Sequence, residues 1–226
     1  MVVKMKNKRV KDHLHESAEA GFTIIESLAA IVIVTLLMVG ITPVLGIAVA
    51  TRVQARRVEL GSQAARSYVD RLRSESDTAQ HPTPVTTSTT VPAPTPGALT
   101  CSDRAYCTVP AGTRLYCVDG DGDGSCTTNS VTDMVVQGVA YNDRDTIGAT
   151  ADNGYQLLAR VYRADAFRDT TPLATGRIQA SFTGGEGDRK APIVELVTEI
   201  STDGTTYQDY CDRLNPASVG RNDACD

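Results

Sequence analysis

Residues 27–50 contain no Asp, Glu, Lys or Arg. As a helix those 24 residues span roughly 36 Å, enough to cross a hydrocarbon core about 30 Å thick. A single carboxylate, Glu26, stands just before the run, and a polar, basic head of 21 residues precedes that. In a secretory signal the small cleavage-site residue follows the apolar core. Here the order is reversed: Gly21 comes first, so a cut after it would leave the hydrophobic helix on the mature chain. The basic head marks its own side of the membrane as cytoplasmic, so the cut would fall there.

Gly21-Phe22-Thr23-Ile24-Ile25-Glu26 with the apolar run behind it resembles the start of a type IV prepilin or pseudopilin. The resemblance implies cleavage after Gly21 by a prepilin peptidase, N-methylation of Phe22, and assembly with other pilins or pseudopilins into a filament on an inner-membrane assembly platform. It also implies an α+β, pilin-like fold: one long N-terminal helix packed on a C-terminal antiparallel β-sheet domain with disulfides. The cytoplasmic cut places the N-terminus inside and the C-terminal domain outside the plasma membrane. Within that scheme Glu26 has a physical role. An ionisable group in a membrane helix costs about 2.5–3.5 kcal/mol and marks a functional position. In a filament it can meet the new amine of a neighbour's Phe22, so that two costly charges cancel. Read alone, Glu26 is a carboxylate at headgroup level on a plain anchor.

Removing the head takes five of the 22 basic and three of the 27 acidic residues, leaving 205 residues with a net charge of −7. That balance does not suggest a nucleic-acid partner. All six cysteines, Cys101, Cys107, Cys117, Cys126, Cys211 and Cys225, follow residue 100. An even set confined to the part beyond the membrane predicts disulfides in an oxidising compartment. No Cys-x-x-Cys pair occurs and no histidine follows them, which argues against zinc. Six cysteines allow 15 pairings; neighbour pairing, Cys101–Cys107, Cys117–Cys126 and Cys211–Cys225, closes the shortest loops. Of three histidines, His13 and His15 lie in the head and His81 in a proline-rich stretch. Without a positioned histidine, nucleophilic triads have no base, and the chain is not expected to be an enzyme.

Five segments follow in order. Residues 1–21 are the leader, 22–50 the membrane half of a helix and 51–77 its amphipathic half. Residues 78–98 are a Thr/Pro-rich connector, and 99–226 a β-rich domain. Pro43 interrupts the apolar half, and a proline there removes one backbone hydrogen bond and kinks the helix; the resemblance implies a bend or local melting there during assembly. Gly40 and Gly46 suit close helix packing. From residue 51 arginines appear, while Val53, Leu60, Ala64, Tyr68 and Leu72 form an apolar stripe that should lie on a sheet. The connector's composition favours extended, polyproline-like chain that buries no core. Strands are expected at 114–118, 134–141, 155–162, 177–182 and 193–200. Their period-two alternation predicts a sheet with one covered face.

Asp119-Gly120-Asp121-Gly122-Asp123-Gly124 matches the opening of a calcium loop, with carboxylates on alternate residues. The match stops at the twelfth position, Ser130, where a bidentate glutamate is required. Asp133 could substitute only in a longer loop. The other reading is an acidic hairpin tip closed by Cys117–Cys126, with no cofactor at all.

Val-Ala-Thr-Arg-Val-Gln-Ala-Arg-Arg-Val-Glu-Leu at 49–60, Arg-Leu-Tyr-Cys-Val-Asp at 114–119 and Tyr-Gln-Leu-Leu-Ala-Arg-Val-Tyr-Arg at 155–163 are similar to the cyanobacterial hormogonium polysaccharide secretion pseudopilins, B-type. That similarity implies a minor pseudopilin supporting polysaccharide export and gliding motility. Two other classes compete with it: a minor type IV pilin serving adhesion, motility or DNA uptake, and a membrane-anchored enzyme or calcium-dependent binder that shares only the signal.

Overall fold

Helix α1 (Ile24–Ser74) opens the fold, in a computed structural model that describes residues 23–85, 87, 91–110, 114–142, 150–180 and 187–214. The chain divides into two compact units, one ending at Gly46 and the other beginning at Ile47. Pro43 lies inside α1, and the helix is assigned on both sides of it. Gly40 and Gly46 have open space around them. The helix stops at Ser74, three residues before the expected end. Asp77 then accepts a hydrogen bond from the Ala79 amide and starts a separate 3-10 turn over Thr78–Gln80, as a short polar side chain does at a cap.

In the second unit α1 packs on a four-stranded antiparallel sheet. Its strands are β2 (Leu115–Val118), β4 (Met134–Tyr141), β5 (Tyr155–Arg163) and β6 (Val194–Ile200), in the order β2-β4-β5-β6. Two short strands, β1 (Cys101–Ser102) and β3 (Ser125–Cys126), pair separately. Helix α2 (Tyr207–Leu214) follows β6.

The core between α1 and the sheet contains Ala64, Ala65, Tyr68, Val69 and Leu72 from the helix. It meets Tyr155, Leu157, Ala159 and Val161 from alternate positions of β5, with Val136 and Ile200 beside them. Ala64, Tyr68 and Leu72 of the expected stripe lie in the core and Leu60 packs against it, but the stripe is wider than expected and does not include its first member. Val53 is exposed, whereas Gln54, Gly61, Ala65 and Val69 are buried. Small residues at 61, 64 and 65 make the contact because they let the helix backbone approach the sheet. A Cβ on Gly61 would stand 3.2 Å from Val194 Cγ2.

The expectation of one covered sheet face is corrected: both faces of β5 are covered. Leu158 packs with Val139 and Tyr141 under Val85 and Val91. Tyr162, Leu115 and Val135 pack with Ala164, Ala166, Phe167 and Leu173. The Thr/Pro-rich segment is therefore no bare connector. Val85 bridges Tyr141 in parallel, its amide donating to Ala140 O at 3.0 Å. Proline carbonyls remain strong acceptors though proline lacks an amide hydrogen: Gln137 Nε2 donates to Pro92 O at 2.8 Å. Arg160, buried in the middle of the sheet, donates to Val91 O at 2.9 Å and lies 3.4 Å from Glu195.

Residues 177–180 do not form the fourth of the five expected strands, and 181 and 182 lie outside the described residues. Gln179 N donates to Pro192 O at 2.8 Å, and Gln179 Nε2 to Ala191 O at 3.0 Å. Pro192 has no amide with which to return a bond, so no ladder develops there.

Burial acts on four phenols, three of them fully enclosed and Tyr106 partly so. Burial, reinforced by Tyr106 and Tyr155, holds Tyr68 well above the ordinary tyrosine range. Burial likewise raises Tyr106 and Tyr155 and pushes Tyr162 up to about 12. A group with a raised folded pKa stabilises the fold fully below its unfolded value, about 10 for tyrosine, and less as pH climbs through the folded value. We therefore expect stability independent of these groups below about pH 10, falling steeply between about 10 and 12. The chain has no tryptophan, so phenolate absorbance at 295 nm reads tyrosine ionisation cleanly. The part of that rise that comes from these four phenols should accompany the loss of far-ultraviolet dichroism and not precede it.

Candidate functional site

Two features of the chain can carry function. The first is the N-terminal part of α1. Every residue from Thr23 to Val49 is exposed, including Ile24, Leu28, Leu36, Leu37 and Val44. The helix is long and apolar enough to cross a membrane. Its polar side chains are turned inward on its own backbone. Thr35 Oγ1 donates to Val32 O at 2.8 Å, Thr42 Oγ1 to Met38 O at 2.6 Å, and Thr51 Oγ1 to Ala48 O at 2.9 Å. Where water is absent each hydroxyl must find a partner, and these have one within a turn.

Glu26 lies in the first turn. Its amide reaches Thr23 O at 3.0 Å and Thr23 Oγ1 at 3.3 Å. Thr23 is thus the helix cap, and Thr23-Ile24-Ile25-Glu26 has the Thr-x-x-Glu spacing of a capping box, a signal the sequence reading passed over. A carboxylate in this turn also complements the helix dipole. Gly21 and Phe22 lie outside the described residues.

The second feature is the acidic loop between β2 and β3. Oxygens of Asp119, Asp121 and Asp133 lie within 4.8 Å of one another. Asp133, not Asp123, is the third member. Asp123 turns aside to accept from Ser125 N and Oγ, at 2.8 and 3.0 Å. Asp119 Oδ1 accepts from Asp121 N and Gly122 N, at 2.9 and 2.7 Å, and Oδ2 from Gly124 N at 2.6 Å. Those amides, Gly124 foremost, lower the Asp119 pKa. Gly122 and Gly124 have φ of 86° and 87°, a conformation that a side chain resists. Asp133, fully buried, accepts from Gly120 N at 3.1 Å and Thr127 N at 3.0 Å.

Three converging carboxylates suit a hard divalent cation, which takes six to eight oxygens at about 2.3–2.6 Å. Asp119 and Asp133 already spend lone pairs on backbone amides, so their first duty is to shape the loop. Asp133→Ala should therefore cost about 2 kcal/mol with no metal added, because two amides lose their acceptor. A cation held here would further raise the unfolding midpoint of the unsubstituted chain in millimolar calcium, and leave that of Asp133→Ala unmoved. Urea titrations with and without calcium measure both effects.

Disulfides Cys101–Cys107 and Cys117–Cys126 flank this loop. Cys211 is also disulfide-bonded, and Cys225 lies outside the described residues. His81, expected in loose chain, is instead buried. Its Nε2 faces Glu75 O at 3.1 Å and its Nδ1 faces Tyr155 Oη at 2.7 Å. A carbonyl only accepts, so Nε2 carries a proton, and in the neutral ring Nδ1 accepts from the phenol. Both nitrogens are thus committed to holding the 78–85 segment, with none left to act as a base. Helix α2 was also missed, although Thr206-x-x-Asp209 announces it. Asp209 N donates to Thr206 Oγ1 at 3.2 Å, and Thr206 N to Asp209 Oδ2 at 2.7 Å, a reciprocal cap.

No protein-family model, no curated protein and no solved structure matches this chain.

Proposed function

We propose that the chain is a minor pseudopilin, a structural subunit of a type IV pilus-like or type II secretion-like machine in the plasma membrane, serving polysaccharide secretion in support of gliding. One observation carries the reading. A fully exposed apolar helix, its hydroxyls satisfied internally and one carboxylate in its first turn, belongs to the same chain as a disulfide-bonded antiparallel sheet. A helix of that kind requires lipid or other apolar helices around it. The disulfides suit a domain outside the cytoplasm. The leader is removed by a prepilin peptidase, Phe22 becomes the methylated N-terminus, and Glu26 pairs with the amine of an adjoining subunit on the assembly platform.

Mass spectrometry of the membrane-bound protein tests the first step, with methylated Phe22 as the expected start. A start at any other residue overturns the reading. Deletion of the gene should abolish polysaccharide export and gliding while surface pili persist. Lost pili with normal export would instead identify a minor type IV pilin.

A further inference from the structure

Beside the two described disulfides runs a groove of about 510 Å³, within the range of about 300–1,000 Å³ typical of small-molecule sites. Its lining is unusual for a chain in which 22% of residues are charged: none of its nine residues carries a charge, and six carry hydroxyls. Those are Thr100, Ser102, Tyr106, Thr108, Ser125 and Thr127.

The floor is rigid. Cys101 and Cys126 face each other in the β1–β3 pair and each is disulfide-bonded, to Cys107 and Cys117 respectively. The same register sets Ser102 opposite Ser125. Thr108 Oγ1 donates to Thr100 O at 3.2 Å, with its N donating to the same oxygen at 2.9 Å, which fixes the wall. Tyr106 is held edge-on against Tyr68 and Tyr116, with ring centroids 6.4 and 5.8 Å away.

Elimination narrows the ligand. An anion would find no positive charge in the lining and would face the Asp123 carboxylate beside Ser125, while a cation would find only that one carboxylate, already accepting from Ser125 N and Oγ. The hydroxyls of Tyr106, Thr108 and Ser125 already donate to Gln80 O, Thr100 O and Asp123, so an apolar ligand would meet only Leu99 and the disulfide floor and would strip water from the hydroxyls of Thr100, Ser102 and Thr127. A neutral, polyhydroxylated ligand can both donate to and accept from serine and threonine hydroxyls, and can set its C–H face against the tyrosine ring. We propose that this groove binds a short stretch of uncharged glycan. The inference rests on the groove's own chemistry, and the N-terminal mass measurement reads the pseudopilin assignment separately.

The test uses the full chain in micelles of lauryldimethylamine N-oxide, which has no sugar headgroup to compete. Saturation-transfer NMR and calorimetry are run with maltohexaose and cellohexaose, and with a hexagalacturonate as the charged control. At least one neutral hexasaccharide should bind, and more tightly than the charged one. The double variant Thr100→Val/Thr127→Val should weaken binding about tenfold, the scale of one to two lost hydrogen bonds. Ser102 is exposed, so Ser102→Arg should fill the groove from the solvent side and abolish binding with no change in the unfolding midpoint. Absence of binding by both neutral sugars at about 10 mM, or undiminished binding by Ser102→Arg, overturns the proposal.

Discussion

Gly138→Ala should lower the unfolding free energy by about 3–5 kcal/mol, the range reserved for severe overpacking. Gly138 lies in the middle of β4, opposite Ala159 of β5, where helix and sheet meet through a single ring. A Cβ there would fall 2.0 Å from Tyr68 Oη and 2.6 Å from both Cε1 and Cζ. A long exposed side chain could swing away from such a clash. Tyr68 cannot: it is wholly buried, with Tyr116 at 5.3 Å and Tyr106 at 6.4 Å between ring centroids. The ring must take α1 with it or leave the core. Gly61→Ala is the internal control. Its Cβ would approach Val194 Cγ2 at 3.2 Å and Ile193 Cγ2 at 3.3 Å, contacts that small side-chain shifts relieve, and the helix gains up to about 1 kcal/mol of propensity in return. Urea unfolding of both variants in detergent measures the difference. Equal midpoints would mean that Tyr68 does not occupy the space over Gly138.

The helix and the sheet were legible in the sequence for different reasons. An uncharged apolar run of 24 residues is long enough to cross a membrane as a helix, and α1 covers it. Residues 134–141 are apolar and rich in valine, and β4 spans Met134–Tyr141. The phase of the amphipathic half was harder. Ala64, Tyr68 and Leu72 were read correctly, but Val53 was included in error and Gly61 and Ala65 were missed, because small residues that let the backbone approach the sheet carry little hydrophobic signal. The 78–98 segment misled for a related reason. Its composition offers little to bury, yet it docks through carbonyls, on Gln137 and Arg160, and composition does not report carbonyl direction. In the acidic loop the alternating aspartates were visible and Asp133 was named as the substitute ligand; it joins Asp119 and Asp121 because β4 begins beside the loop, and what spacing did not give was that Asp123 would turn away to Ser125.

Glu26→Ala should leave processing intact and remove the protein from filaments altogether. The structure separates the two roles that the residue could play. Its backbone amide, bonded to Thr23 O and Oγ1, caps the helix, and alanine supplies the same amide. The substitution therefore costs the helix only the dipole term, about 0.3–1 kcal/mol, which a helix of 51 residues tolerates. What alanine cannot supply is the negative charge. In the proposed filament the amine of a neighbour's Phe22 would then sit among apolar helices with nothing to neutralise it, a penalty of several kcal/mol per unpaired ion. At about 1.4 kcal/mol per factor of ten, that penalty is enough to exclude the subunit. Glu26→Gln keeps the shape and loses the charge, so it should fail in the same way, whereas a purely structural cap would be rescued by it. The readouts are the N-terminal mass of the membrane-bound protein, which should still begin at methylated Phe22, and its amount in sheared filament fractions, which should fall to background for both variants. Normal incorporation of Glu26→Gln would remove the charge-pairing role and leave Glu26 as a helix-end carboxylate alone.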